Sequence, residues 1–227
     1  MAIKIYAHRG ASRDFTEMSR AAYLGAIEQG ADGFECDIRL TKDQQIICWH
    51  DSDTEEITGI KKVIARTNYA DLKFAEPLLF TELLTIAIAH KKDLAIETKH
   101  PVKFRGAIER ELLKVLFDHR EAIADSGIEI VIMSFSWLAL NRVKQSPFET
   151  VYLTNSRFKK FFDRFAITGP SLALIRKYPK LVTVAKNQRR PIYIWTVNQP
   201  ADIKYCAELG VDVLITDIPF HARQVLG

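Results

Sequence analysis

Residues 33–51, GFECDIRLTKDQQIICWHD, read as a strand, a short connection and a returning strand. The opening run Gly33-Phe34-Glu35-Cys36-Asp37-Ile38 has the apolar character of a buried strand, yet it carries two acids with one residue between them. Side chains alternate along a strand, so Glu35 and Asp37 point the same way. Two carboxylates on one face repel each other and resist desolvation unless a cation lies between them. A hard metal ion is the simplest explanation. The connection at 40–45 is too short for a crossover helix, so residues 46–50 should return antiparallel and bring His50 towards the acid pair.

Outward from this hairpin the chain alternates strands with helices. Strands are expected to begin at Ile3, Phe34, Leu94, Ile128, Thr150, Phe165, Ile192 and Val213. Between them lie helical patterns at 17–29 (stopped by Gly30), 104–119, 137–144, 157–164 and 200–209 (stopped by Gly210). Two more helices are expected, one capped by Thr81 and running to about His90, the other opened by Pro170. Eight strands with helices between them imply an α/β fold, a (β/α)8 TIM barrel with a small hairpin insertion after strand 2. Residues 52–75 are polar and poorly periodic, as in a surface insertion with one helical turn near 69–73. With no repeat or linker, residues 1–227 are expected to form a single domain.

At 227 residues, 48% hydrophobic and 26% charged, the chain can bury a sizeable core. Its formal charge of +4 is mild, and the cations are scattered apart from the pairs Lys159-Lys160 and Arg189-Arg190. Nucleic acid is therefore not expected as a partner, whereas a local attraction for an anionic small molecule is. Cys36, Cys48 and Cys206 are odd in number, sit in apolar runs and lack C-x-x-C spacing, which points to buried free thiols in a reducing compartment. No apolar run approaches the roughly 20 residues of a transmembrane helix, and the N-terminus runs straight into a strand without a signal pattern. A soluble, cytoplasmic protein is expected.

A barrel gathers all its strand C-terminal ends at one mouth. His8, Arg9, Glu35, Asp37, Glu97, Lys99, Trp195 and Asp217 all stand at or near such ends, and His50 arrives on the hairpin. Glu35, Asp37 and Glu97 make an oxygen site better suited to Mg²⁺ or Ca²⁺ than to Zn²⁺. Each of the others has a plain structural reading: His8 as a structural histidine, His50 as a solvated hairpin end, Lys99 as a solvated strand end, Trp195 as core. Together, two imidazoles, a hard cation, an Arg and a Lys are what hydrolysis of a phosphodiester requires. The cations neutralise the phosphorane charge, one His takes a proton from the nucleophile and the other gives one to the leaving oxygen.

The motifs Ala7-His8-Arg9-Gly10-Ala11-Ser12, Gly33-Phe34-Glu35-Cys36-Asp37-Ile38-Arg39-Leu40-Thr41-Lys42-Asp43, His50-Asp51, Ile96-Glu97-Thr98-Lys99, Trp195-Thr196-Val197-Asn198 and Ile215-Thr216-Asp217-Ile218-Pro219 follow in order. In them the chain resembles glycerophosphodiester phosphodiesterases over nearly its whole length. The resemblance implies a (β/α)8 barrel, a divalent metal cofactor, Mg²⁺ or Ca²⁺, and hydrolysis of a small glycerophosphodiester to sn-glycerol 3-phosphate and an alcohol. By the same likeness Glu35, Asp37 and Glu97 are metal ligands, His8 and His50 the acid/base pair, and Arg9 and Lys99 the phosphate contacts. Glu17 and Trp195 belong to the substrate pocket.

Where the family commonly has Pro-Glu-Asn-Thr, this chain has Thr16-Glu17-Met18-Ser19, which keeps the acid and changes the loop around it. A sister reading is a lysophospholipase D or sphingomyelinase D-like enzyme, which needs an apolar groove; Phe74, Leu78, Leu79 and Phe80 are the residues to line it, unless they pack on the barrel. A third reading, from another class, is a catalytically silent barrel that binds phosphodiesters or a partner protein. Loss of a His or a carboxylate would favour it, and all five are present.

Overall fold

The computed structural model describes residues 2–100, 106–156 and 165–227. Eight parallel strands form a nearly closed barrel: β1 (Lys4–His8), β2 (Gly33–Leu40), β4 (Asp93–Thr98), β5 (Ile130–Ser134), β6 (Glu149–Thr154), β7 (Ile167–Pro170), β8 (Tyr193–Ile194) and β9 (Val213–Thr216). The antiparallel strand β3 (Ile46–Cys48) is the return arm on β2. Pairing runs β7-β6-β5-β4-β2-β1-β9-β8, and bridges between Thr168 and Ile192 and between Ser171 and Trp195 bring the two ends together.

The helices among the described residues are α1 (Arg20–Glu28), α2 (Glu55–Thr58), α3 (Phe80–Ala89), α4 (Ala107–Asp118), α5 (Arg120–Ser126), α6 (Trp137–Val143), α7 (Leu172–Lys177), α8 (Lys180–Asn187), α9 (Pro200–Leu209) and α10 (Pro219–Leu226). Local chemistry sets several of their ends. Ser19 accepts the Ala22 N–H at 3.1 Å and starts α1. Pro200 sits in the first turn of α9, and Gly210, at φ +68°, ends it.

The alternation of strand side chains sorts the barrel into two environments. Ile5, Phe34, Cys36, Leu94, Ile96 and Ile132 face outward into the packing between sheet and helices. Tyr6, Ala95, Val131, Met133, Val151, Tyr193 and Ile215 fill the interior. Stepping two residues towards the mouth from Tyr6 and Ala95 gives His8 and Glu97. Register places His8 beside Glu35, Glu35 beside Ala95, and Asp37 beside Glu97. The polar site is thus the top layer of a barrel whose lower layers are apolar. Cys36, Cys48 and Cys206 are buried free thiols, as expected.

The structure corrects several boundaries. Thr81 does not cap α3: Leu79, held extended by its bridge to Ile47, is the cap residue, and the helix starts at Phe80. Pro170 does not open a helix but ends β7 opposite Thr154, a position where its missing N–H costs nothing; Ser171 caps α7 instead. The strand expected from Phe165 begins at Ile167, and α5, α8 and α10 were not anticipated. The helix expected at 157–164 and the start of the one at 104–119 lie outside the described residues. The insertion after β3 contains α2 and two 3₁₀ turns, Ile64–Arg66 and Tyr69–Ala75. It packs a small core of its own from Ile47, Trp49, Ile64 and Leu72.

Candidate active site

Glu35 and Asp37 from β2 and Glu97 from β4 are buried at the mouth, and each offers an oxygen within 4.8 Å of the others. Two cations answer them. Lys99 Nζ lies 3.1 Å from Asp37 Oδ1 and 3.1 Å from Glu97 Oε1. Arg9 Nε lies 3.0 Å from Asp37 Oδ2, and the same guanidinium donates to Glu17 Oε2 at 2.8 Å. Arg9 takes a left-handed conformation, φ +58°, as β1 turns out of the sheet. Its backbone N–H is held by the Glu35 carbonyl at 3.1 Å and by Glu35 Oε2 at 3.2 Å.

Three carboxylates facing two cations share their charge unevenly. Burial first, then repulsion from Asp37 and Glu97, pushes the Glu35 carboxyl well above its ordinary range. The same two causes, burial and Asp37, push Glu97 up to about 8. Asp37 goes the other way: burial opposes its charge, but Lys99 and Arg9 outweigh burial and hold it below the ordinary value. Although Arg9 Nε and Asp37 Oδ2 are close, neither has a hydrogen bond of acceptable geometry, which leaves a buried carboxylate oxygen without a donor. An orphaned oxygen among three converging carboxylates fits a hard divalent cation.

The two imidazoles are held alike. His8 Nδ1 lies 2.6 Å from Asp217 Oδ1, and its Nε2 lies 3.9 Å from Glu35 Oε2. His50 Nδ1 lies 2.9 Å from Asp51 Oδ1. A carboxylate accepting from Nδ1–H fixes the tautomer and leaves Nε2 of each ring for the cavity. Burial holds the His50 imidazolium below its ordinary value. Asp217 is itself fixed by Ser12 Oγ at 3.2 Å and by the Asn198 amide, whose Oδ1 accepts from the Asp217 N–H at 2.9 Å and from Thr216 Oγ1 at 3.1 Å.

A cavity of about 190 Å³ opens between these groups, with His8, Arg9, Glu35, His50, Glu97 and Lys99 on its polar side. Trp195, Phe135, Met133, Leu153 and Ile215 form the apolar side. Trp195 Nε1 donates to the Gly169 carbonyl at 2.9 Å, and its ring stands edge-on to Phe135 with centroids 5.3 Å apart. Glu17 is the exception among the expected site residues. It touches the site through Arg9 and lines a neighbouring cavity of about 460 Å³, between residues 14–19 and the insertion residues Trp49, Ile57, Pro77 and Leu78. Asp217 was placed at the mouth from sequence without a role, and Asn198, Ser12 and Phe135 were given none. The signals for Asp217 and Asn198 were their position at the ends of the last two strands and their place in the motifs that carry the resemblance.

This barrel and the chemistry at its mouth define a hydrolase of phosphoric diesters. Residues 8–221 match the profile of the Glycerophosphoryl diester phosphodiesterase family, and the chain belongs to that family. It is 32% identical to a probable glycerophosphodiester phosphodiesterase 1 of Mycobacterium tuberculosis, over 98% of this chain and 92% of that one. It is 29% identical to a glycerophosphodiester phosphodiesterase of Caldanaerobacter subterraneus, over 95% and 94%. Among solved structures, an Oleispira antarctica phosphodiesterase in complex with the product sn-glycerol-3-phosphate superposes with a TM-score of 0.88 at 18% identity, over 99% of this chain and 97% of that one. The glycerophosphodiester phosphodiesterase of Thermotoga maritima gives 0.84 at 20% identity, over 99% of each chain. Among the described residues, no helix is long and apolar enough to cross a membrane.

Proposed function

We propose that the chain hydrolyses glycerophosphodiesters to sn-glycerol 3-phosphate and an alcohol, with His8 and His50 transferring protons and Glu35, Asp37 and Glu97 holding Mg²⁺ or Ca²⁺. The observation that carries this reading is the convergence of both imidazoles, Arg9 and Lys99 on one cavity beside the carboxylate triad. When bound, the divalent cation would supply neutralisation of the charge that builds on phosphorus oxygens. Arg9 and Lys99 bind and orient the phosphate, Arg9 through its planar fork and Lys99 as a point charge. One Nε2 accepts the nucleophile's proton and the other protonates the leaving oxygen, each ring being oriented by its carboxylate. Trp195 and Phe135 exclude water from the apolar side. Glu17 steadies Arg9, and the neighbouring cavity it lines, beside the insertion, is suited to the alcohol part.

Phe80 is fully buried and Leu78 nearly so, both in the packing between β-barrel and helices. That supports a packing role for Phe80, whereas Leu78 also lines the neighbouring cavity and Phe74 is exposed, so what favours the glycerophosphodiester reading over a lysophospholipase D is the family match. The whole chain, 1–227, is read as one catalytic domain. The test is release of sn-glycerol 3-phosphate from glycerophosphocholine and glycerophosphoethanolamine after chelation, with Mg²⁺, Ca²⁺ or Mn²⁺ restored. Metal-dependent release is expected. No release from folded protein with any of the three metals would overturn the reading and turn attention to lysophospholipids.

A further inference from the structure

Arg39 stands two residues past Asp37 on β2, half-buried, with its backbone opposite Ile47 in the β2–β3 ladder. The ladder runs out just beyond it. Its last pair towards the mouth is Ile38 with Cys48, followed by one further bond from the Trp49 N–H to the Asp37 carbonyl at 2.9 Å. The chain then bends through His50 and Asp51, and among the described residues no backbone N–H reaches the His50 carbonyl. A half-buried carbonyl needs a donor. Arg39 supplies two: Nε at 2.9 Å and Nη2 at 2.6 Å both converge on the His50 oxygen. Burial holds the guanidinium below its ordinary value, and the carboxylates of Asp37, Asp51, Glu97 and Asp53 offset part of that cost.

His50 is thereby fixed at both ends. Asp51 sets the rotation of the ring through Nδ1, and Arg39 sets where the backbone delivers that ring. The ladder's last bond holds Trp49, one residue earlier, and among the described residues only Arg39 bonds the main chain of His50 itself. We infer that Arg39 is a positioning residue for turnover, acting through the main chain of His50 rather than on substrate. A misplacement of a reacting group by about 1 Å is worth about 100-fold in rate.

The inference rests on His50 as a proton-transfer group, and a double-mutant cycle separates the two ideas. Arg39→Gln is expected to lower kcat about 10- to 100-fold, with KM changed by less than about threefold and divalent-metal affinity, read by calorimetry, unchanged. In a His50→Ala background the same substitution is expected to cost less than about twofold. A purely structural role would give equal losses in both backgrounds. Wild-type-like kcat in Arg39→Gln, an equal loss in the His50→Ala background, or a loss of metal affinity would each overturn the inference. Full activity in His50→Ala alone would instead overturn the role of His50. Should Arg39→Gln fail to fold, the cycle is run with Arg39→Lys, which keeps the charge and one donor; a loss of kcat that vanishes without His50 supports the inference, and no loss or a persistent one overturns it.

Discussion

His8 Nδ1 and Asp217 Oδ1 stand 2.6 Å apart although 209 residues separate them in the chain. Only barrel closure, in which β9 pairs with β1, makes them neighbours. Asp217 can therefore orient His8 only in the completed fold, and Asp217→Asn should leave the fold in place while removing the acceptor that fixes the ring. A fall in kcat of about 10²- to 10⁴-fold is expected, the range a positioned acid or base contributes. Steady-state kinetics on protein with an unchanged circular dichroism spectrum is the check, and an undiminished kcat would remove Asp217 from the mechanism.

The same residue makes a pH prediction. Burial opposes the Asp217 charge, but hydrogen bonds from His8, Asn198 and Ser12 outweigh burial and hold the carboxyl below its ordinary value. A depressed carboxyl contributes stability that is fully present above the unfolded value, about 3.9, and is lost as pH falls through the folded one. Below about pH 4 the melting temperature of Asp217→Asn should thus fall less steeply with acid than that of the wild type. Parallel curves from pH 5 to pH 2 would contradict this.

Sequence reading succeeded where one residue's neighbours in the chain decide its environment. Glu35 and Asp37 were expected to converge because period two put them on one face of an apolar strand, Glu97 with Lys99 repeated the device, and the three carboxylates do meet at the mouth. It failed where a distant partner decides. Thr81 looks like a helix cap, but the bridge from Ile47 to Leu79 starts the helix earlier. Pro170 looks like a helix opener, but pairing with Thr154 keeps it in the sheet. The Asp217–Asn198 pair and the reach of Arg39 to His50 belong to this second kind: they follow from ring closure and from the bend after β3, neither of which leaves a periodic trace.

Glu35, a proposed ligand, can be altered without unfolding the protein. Burial and its acidic neighbours already drive its carboxyl towards the neutral form, so Gln, a neutral isostere, should fold almost as well. Divalent-metal affinity of Glu35→Gln should nevertheless drop at least about tenfold, since an anionic oxygen donor is lost. Isothermal calorimetry with Mg²⁺ and Ca²⁺ decides the point, and wild-type affinity would exclude Glu35 as a ligand.

Gly33 tests the packing beneath the site. A Cβ there would stand 2.7 Å from the Tyr6 ring and 2.8 Å from the Asp93 carbonyl, closer than atoms tolerate. The carbonyl belongs to β4 backbone and Tyr6 is fully buried, so neither can step aside freely. Gly33→Ala should cost about 1–3 kcal/mol, the range for overpacking a filled core. Urea denaturation with an unchanged m-value is the measurement, and a stability within experimental error of the wild type would refute the close approach.

Lys99 ties the stability of the mouth to its chemistry. Its ammonium bridges Asp37 and Glu97 at 3.1 Å each and is itself largely shielded from solvent. Replacing it with Met keeps the aliphatic stem and leaves the two acids with one fewer buried counter-charge, a change that destabilises because an uncompensated charge remains. Glu97 can relieve part of the cost by taking up a proton, since it already lies near 8. Asp37, held ionised by its cations, has no such escape except through Arg9. Lys99→Met should therefore melt lower than the wild type in chelator, and saturating Mg²⁺ or Ca²⁺, by binding at the proposed triad and restoring a positive charge there, should narrow the gap. Thermal shift with and without metal reads this directly. A gap that stays constant across metal concentrations would mean that the cation does not bind among these carboxylates.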